Sequence, residues 1–225
     1  MIPNIEGDFS LCHAGLDPAS ILKIKQIPHQ VRNDRKTFLF FMNYKLLKSE
    51  IRYKGKVFDH QVDEIEYESG NKGIREIAIH PGGAVVVPVK DDGKIILVKQ
   101  FRYPLQKTLI EFPAGKLEKG EDPLVCATRE LEEETGYKSK EIKKLGEIYT
   151  APGYCTEVLH IYSAIGLTPG NHNREEGEHG MEILELSLKE IEKMIANGEI
   201  TDAKTIVGVH YLKNLVEIHP FGNNH

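Results

Sequence analysis

The chain has 225 residues, of which 40% are hydrophobic and 28% charged, an ordinary globular balance. Lysine and arginine number 29 against 34 aspartates and glutamates, a net charge of −5, so the basic footprint of a nucleic-acid-binding protein is missing. No apolar run approaches the ~20 residues that span a bilayer. Three cysteines, Cys12, Cys126 and Cys155, cannot pair into an even disulfide framework and point to a reducing, cytoplasmic setting.

The first 41 residues hold three of the eleven prolines and follow neither a helical nor a strand period. Segments 13–20 and 27–34 resemble translated interspersed genomic repeats, and no charged n-region and apolar core of a signal peptide is recognisable. The expectation is that the fold starts at Met42 and that residues 1–41 are a disordered or spurious extension. Residues 46–53, 57–67 and 74–80 read as three antiparallel strands, with Ser69-Gly70-Asn71-Lys72-Gly73 as a turn. This unit, residues 42–82, has little core of its own. It is expected to bury its apolar face across a two-fold homodimer.

Pro81-Gly82-Gly83 breaks the chain, and residues 83–225 follow as the main domain. Residues 84–89 and 94–101 are dense in Val and Ile, as strands covered on both faces would be. Residues 108–112 are short and extended. Asp122 suits an N-cap and Pro123 the first turn of a helix to Thr135, with Gly136 as its left-handed stop. Strands are expected near 144–149, 158–164 and 181–186. Residues 188–196 are amphipathic, and Asp202 caps a last helix carrying Ile206, Val209, His210, Leu212 and Leu215.

At about 100° per residue, Leu124, Ala127, Thr128, Leu131 and Thr135 fall on one narrow face of the first helix, expected to meet the sheet. Glu130, Glu133 and Glu134 share an arc on the side away from it. Like charges at these spacings cost ~0.2–0.5 kcal/mol per pair, and hard divalent cations held by carboxylates would offset that repulsion. Taken alone, the arc reads as a solvated Glu-rich face. The wider spacing changes that reading: Gly115, five residues, Glu121, seven residues, then Arg129-Glu130-Leu131-Glu132-Glu133-Glu134-Thr135-Gly136-Tyr137. This matches the Nudix box, G-x5-E-x7-R-E-U-x-E-E-x-G-U with U apolar, at every fixed position. Tyr137 is the soft one. From about residue 43 onward the chain resembles the Nudix hydrolase superfamily.

The resemblance implies an α/β fold: a Nudix α/β/α sandwich with a mixed sheet, preceded by the small antiparallel β subdomain. It implies metal ligands at Glu130, Glu133, Glu134 and the carbonyl of Ala114, holding Mg²⁺ (or Mn²⁺), two or more ions. Arg129 would hold Glu121 and Glu133 by charge-assisted hydrogen bonds, and Gly115 would let the backbone turn its preceding carbonyl toward the metal.

Leu109-Ile110-Glu111-Phe112-Pro113-Ala114-Gly115, the upstream Gln100-Phe101-Arg102-Tyr103-Pro104, Pro152 fifteen residues after Tyr137, and the run Ile200–Ile206 look like the ADP-ribose pyrophosphatase subfamily. The implied reaction is hydrolysis of ADP-ribose to AMP and ribose 5-phosphate, with another nucleoside diphosphate sugar such as GDP-mannose as the alternative substrate. A non-catalytic, ligand-sensing Nudix protein is a further alternative, disfavoured by the intact box. Arg102 and Arg75 match the subfamily's nucleotide-contacting arginines, although either also fits a surface salt bridge. Glu157 is a candidate for a ribose hydroxyl. With no tryptophan in the chain, a base-stacking side chain would be Phe or Tyr, for example Phe58 or Tyr67. The general base is expected in the loop before residue 181. Glu178 is the choice over Glu175 and Glu176, with His179 the alternative because strict counting places it at the family position. Cys126 reads as a small packing residue.

Overall fold

The computed structural model describes residues 44–171 and 180–218, with side chains to residue 214. The expectations for residues 1–41, for the start at Met42, and for Glu175, Glu176, Glu178 and His179 lie outside them. Three strands open the described chain: β1 (Tyr44–Lys54), β2 (Asp59–Tyr67) and β3 (Lys72–Ile79), antiparallel in that order. Gly70, at φ +80°, makes the β2–β3 turn, donating its N–H to Tyr67 O. Within these strands Ile65 is the one fully buried hydrophobic side chain. The expectation of a unit with little core of its own is met.

Strand β4 (Gly83–Pro88) organises the rest of the chain. It runs parallel to β9 (Val158–Pro169) and antiparallel to the short β7 (Ala114–Lys116). With β8 (Tyr137–Tyr149) beyond β9, the sheet order is β7-β4-β9-β8. A second, antiparallel sheet places β5 (Ile95–Arg102) between β10 (Glu182–Leu186) and β6 (Lys107–Glu111), and a bridge from Val89 to Ile95 links it to the end of β4.

Side chains alternate across a strand, and β4 is buried on both faces because each face has its own cover. Ala84 and Val86 pack with Cys126, Ala127 and Leu131 of helix α1 (Pro123–Thr135). Val85 and Val87 face a larger cluster with Ile191 of α2 (Leu188–Ala196) and Val209 and Leu212 of α3 (Ala203–Ile218). Each Val, Leu or Ile among them contributes ~1.5–3 kcal/mol on burial. Helices on both faces of a mixed sheet give the expected α/β/α layering.

Helix α1 has the expected bounds. Asp122 accepts the Leu124 N–H at 2.8 Å, and Gly136 closes the helix at φ 72°. A reciprocal capping box of Ser187 and Glu190 starts α2, and Asp202 Oδ2 accepts the Thr205 N–H at 2.9 Å at the start of α3. Two expectations need correction. Strand β8 starts earlier and β9 runs later than the hydrophobic pattern indicates, to a Tyr137↔Pro169 pairing. The extra part of β8 is a Lys- and Glu-rich edge, partnered only by β9, and such residues mask strand character. The buried face of α3 is Thr205, Gly208, Val209 and Leu212, while Ile206 and His210 are exposed. Gly208 sets this rotation: a Cβ there would lie 2.9 Å from the Phe112 ring.

Candidate active site

Three segments converge beside β4: the β6–β7 run through Phe112, Pro113 and Ala114, the loop through Glu121, and helix α1. The acidic arc does not face away from the sheet, as helix periodicity alone suggested. Glu130 and Glu134 are only 6% and 2% exposed. Short β7 lies at the sheet edge beneath that arc, so the Ala114 N–H donates to Glu134 Oε2 at 3.1 Å. At the N-terminal end of the helix, Leu124 and Thr128 are exposed rather than sheet-facing.

Gly115 is required for space. A Cβ on it would sit 1.7 Å from Glu130 Oε1, so the carboxylate rests directly on the Gly115 backbone. The expected turning role is not what the structure uses, since Gly115 lies within β7 and is not among the residues with positive φ.

Arg129 gathers the acidic groups. Its Nε donates to Glu121 Oε1 at 3.0 Å, and its Nη1 reaches Glu130 Oε1 at 2.6 Å and Glu133 Oε2 at 2.9 Å. The Glu121 hydrogen bonds foremost, then Glu130 and Glu133, hold the guanidinium charged far above its ordinary range. Arg129 in turn lowers the Glu121 carboxyl. Glu118 N–H also donates to Glu121, closing the loop onto the helix. Cys126, fully buried, directs its thiol at the Gly115 and Lys116 carbonyls at 3.7 Å. Burial first, then the charges of Glu130 and Glu121, push that thiol up to about 12, so it remains a neutral packing group and donor.

The donor set suits a hard divalent cation: carboxylate oxygens of Glu130, Glu133 and Glu134, with Glu130 seated in a cradle that any side chain at 115 would fill. Among the described residues no three acidic, His or Cys side chains are already drawn together as an ion cage. Arg129 holds Glu130 and Glu133 instead, and a cation would have to share them with it.

Arg102, at the end of β5, is clamped by Glu111. Its Nε donates to Glu111 Oε1 at 2.8 Å and its Nη2 to Oε2 at 2.6 Å. The Glu111 hydrogen bond raises the Arg102 pKa, with smaller contributions from the charges of Glu111, Glu134 and Asp202, so Arg102 lies within electrostatic reach of Glu134 on α1. Lys204 of α3 also bonds Glu111. Burial opposes ionisation of Glu111, but Arg102 and Lys204 outweigh it and hold its carboxyl below the ordinary range. Sequence reasoning missed both Glu111 and Lys204. A lone acid in the otherwise apolar Leu-Ile-Glu-Phe run was the available signal.

Arg75 and Glu157 are not brought to the helix by polar contacts among the described residues. Arg75 stacks over Tyr67, 5.7 Å from the ring centroid, and bonds its hydroxyl and the Ile74 carbonyl. Glu157 accepts from the Thr150 hydroxyl at 2.7 Å and lies 3.3 Å from His80 Nδ1. Burial lowers the His80 pKa, opposed by the charge of Glu157 and assisted by that of Lys116. The turn containing Pro152 ties the sheets together: Ala78 N–H donates to Tyr154 O, and Thr156 N–H to Ala78 O. Phe58 is exposed and Tyr67 half-buried.

A mixed sheet between helices, with a glycine-seated carboxylate and an arginine that gathers two glutamates of its own helix and one of the preceding loop, defines a class of α/β proteins with an acidic loop–helix site. The chain belongs to the NUDIX family: the NUDIX domain model matches residues 79–206. It is 44% identical over 170 residues to an ADP-ribose pyrophosphatase of Bacillus subtilis (strain 168), covering 75% of this chain and 92% of that protein. It is 42% identical over 171 residues to a methanol dehydrogenase activator of Bacillus methanolicus, with the same coverage. A solved structure described as "Crystal structure of ADP compounds hydrolase" superposes with TM-score 0.71 at 18% identity, over 80% of this chain and 97% of that one, which shows the shared fold.

Proposed function

We propose that this protein hydrolyses the diphosphate linkage of ADP-ribose to AMP and ribose 5-phosphate, using Mg²⁺ or Mn²⁺. The observation that carries this reading is the seating of Glu130 on Gly115 within a cluster where one arginine serves three carboxylates. The similarity to a bacterial ADP-ribose pyrophosphatase supports the choice of substrate. In this reading Glu130, Glu133 and Glu134, with the Ala114 carbonyl, hold the cations, while Arg129 keeps those carboxylates in register. A bound divalent cation neutralises diphosphate oxygens and lowers the pKa of an attacking water. Arg102 binds an oxygen of the diphosphate or ribose, and Arg75 and Glu157 meet the nucleoside end. Glu178 accepts the proton of the attacking water, with His179 as its alternative.

The domain division is part of the proposal: residues 42–82 form a dimerisation subdomain, and 83–225 form the hydrolase. Exposed Leu46, Ile51, Tyr53, Val57, Phe58 and Ile74 on the β1–β3 region support a homodimer, which would cover them. A cytoplasmic location accords with the free thiols, and no helix among the described residues is long and apolar enough to cross a membrane. The test is a panel of nucleoside diphosphate sugars assayed with Mg²⁺. AMP released fastest from ADP-ribose is expected, and faster turnover of GDP-mannose would transfer the assignment to that substrate. Activity in Glu178→Gln equal to wild type would remove Glu178 as the base.

A further inference from the structure

Arg102 belongs to a closed polar ring that neither the box nor the metal chemistry requires. Glu111, 1% exposed, receives Arg102 through both carboxylate oxygens and Lys204 through Oε2. Lys204 also bonds Asp202 Oδ1 at 3.0 Å. Asp202 Oδ2 accepts the Thr205 hydroxyl at 2.7 Å, and that hydroxyl, fully buried, accepts the Phe112 N–H at 2.8 Å. Phe112 follows Glu111 in the chain, so the ring returns to its start. It joins β5, the end of β6 and the first turn of α3.

Two cations and two carboxylates make the ring neutral. Its members are unlike a substrate site: the carboxylate is sealed, and Lys204 is only 11% exposed. Arg102 is the exception, with 38% of its side chain open. Glu111 consumes its Nε and Nη2 edge. The Nη1 group has no hydrogen-bond partner among the described residues. A guanidinium held along one edge keeps its other donors in a fixed plane, which suits an anionic phosphate oxygen.

We propose that Glu111 is a positioning residue for substrate recognition: braced by Lys204 and the Asp202–Thr205 cap, it fixes Arg102 so that the Nη1 edge donates to a phosphate oxygen of the nucleoside diphosphate ligand. The proposal rests on the assignment as a nucleoside diphosphate sugar hydrolase and adds a residue to it. An unbraced Arg102 would sweep many rotamers, and ordering it on binding would cost affinity. The contact persists from bound substrate to transition state, so its loss raises KM more than it lowers kcat.

The test compares wild type, Arg102→Ala, Glu111→Gln and the double variant in ADP-ribose turnover with Mg²⁺. Glu111→Gln and Arg102→Ala each raise KM about tenfold with kcat within about threefold, and the double variant is no worse than Arg102→Ala alone. Additive KM effects, or an unchanged KM in Glu111→Gln, overturn the proposal. Glu111→Gln leaves Lys204, nearly buried, and Arg102 with less negative charge to share, so its folding is checked beside its kinetics. Glu111→Gln/Lys204→Met restores ring neutrality and carries the same KM expectation. Calorimetric titration with ADP reads the contact without turnover. A wild type that hydrolyses no ADP-ribose overturns the functional assignment alone, while ADP affinity unchanged in these variants, or no ADP binding by wild type, overturns this inference.

Discussion

Gly115→Ala isolates the geometric core of the site. The new methyl would stand 1.7 Å from Glu130 Oε1, 2.0 Å from its Cδ and 2.6 Å from Oε2, where ordinary contact begins at 3.4 Å. The carboxylate must therefore retreat by about 1.7 Å, since β7 is hydrogen-bonded to β4 and cannot easily withdraw. Retreat breaks the 2.6 Å bond from Arg129 and moves a proposed cation ligand out of place. Misplacement of about 1 Å costs on the order of 100-fold in rate, equivalent to about 2.7 kcal/mol. The variant is expected to lose about 100-fold in kcat/KM for AMP release from ADP-ribose, measured with Mg²⁺ at pH 7.5. Because Gly115 is not left-handed, no backbone strain adds to this, and the melting temperature should fall by only a few degrees. A Gly115→Ala protein within about threefold of wild-type activity would refute the argument that Glu130 must rest on bare backbone.

Gly136→Ala tests the opposite kind of glycine: at φ 72° it should destabilise the fold by about 1–2 kcal/mol in urea denaturation, and an unshifted midpoint would contradict the left-handed cap. Arg129→Lys keeps a charge but loses the fork that serves three carboxylates. Its metal-free stability should fall by about 1–3 kcal/mol, and a wild-type midpoint in EDTA would refute the anchoring role. The lowered Glu111 carboxyl stabilises the fold at pH above its ordinary value of 4.5, and that contribution disappears as pH falls through the lower folded-state value. Denaturation at pH 7 and at successive steps below 4.5 should show this loss in wild type and a shallower one in Glu111→Gln; parallel curves would exclude Glu111 as a source of acid sensitivity.

Local signals carried helix α1 and the box. Asp122-Pro123 starts the helix and Gly136 stops it within the same few residues that the structure uses. The Ala-Val-Val-Val run declared a doubly covered β4, and the clusters on its two faces confirm it. Helix periodicity fixed which glutamates share an arc but not what lies opposite. Only the tertiary position of β7 turns Glu130 and Glu134 inward. The same limit hid the far part of β8, whose charged edge resembles a loop until β9 pairs with it. Arg102 was recognisable as a candidate, yet its partner Glu111 lies 9 residues away and Glu111's further partner, Lys204 on α3, lies 93 residues from Glu111, so no local pattern reveals the ring. Phe112 and Thr205, likewise 93 residues apart, meet only because α3 returns to the end of β6.

The most direct measurement is product formation from ADP-ribose by wild type and Glu134→Gln, each with Mg²⁺ and with EDTA. The account predicts AMP and ribose 5-phosphate in equal amounts from wild type with Mg²⁺, none with EDTA, and a loss of about 100-fold or more in Glu134→Gln. Hydrolysis that survives EDTA, or a Glu134→Gln protein as active as wild type, would contradict the claim that these carboxylates hold cations against a diphosphate.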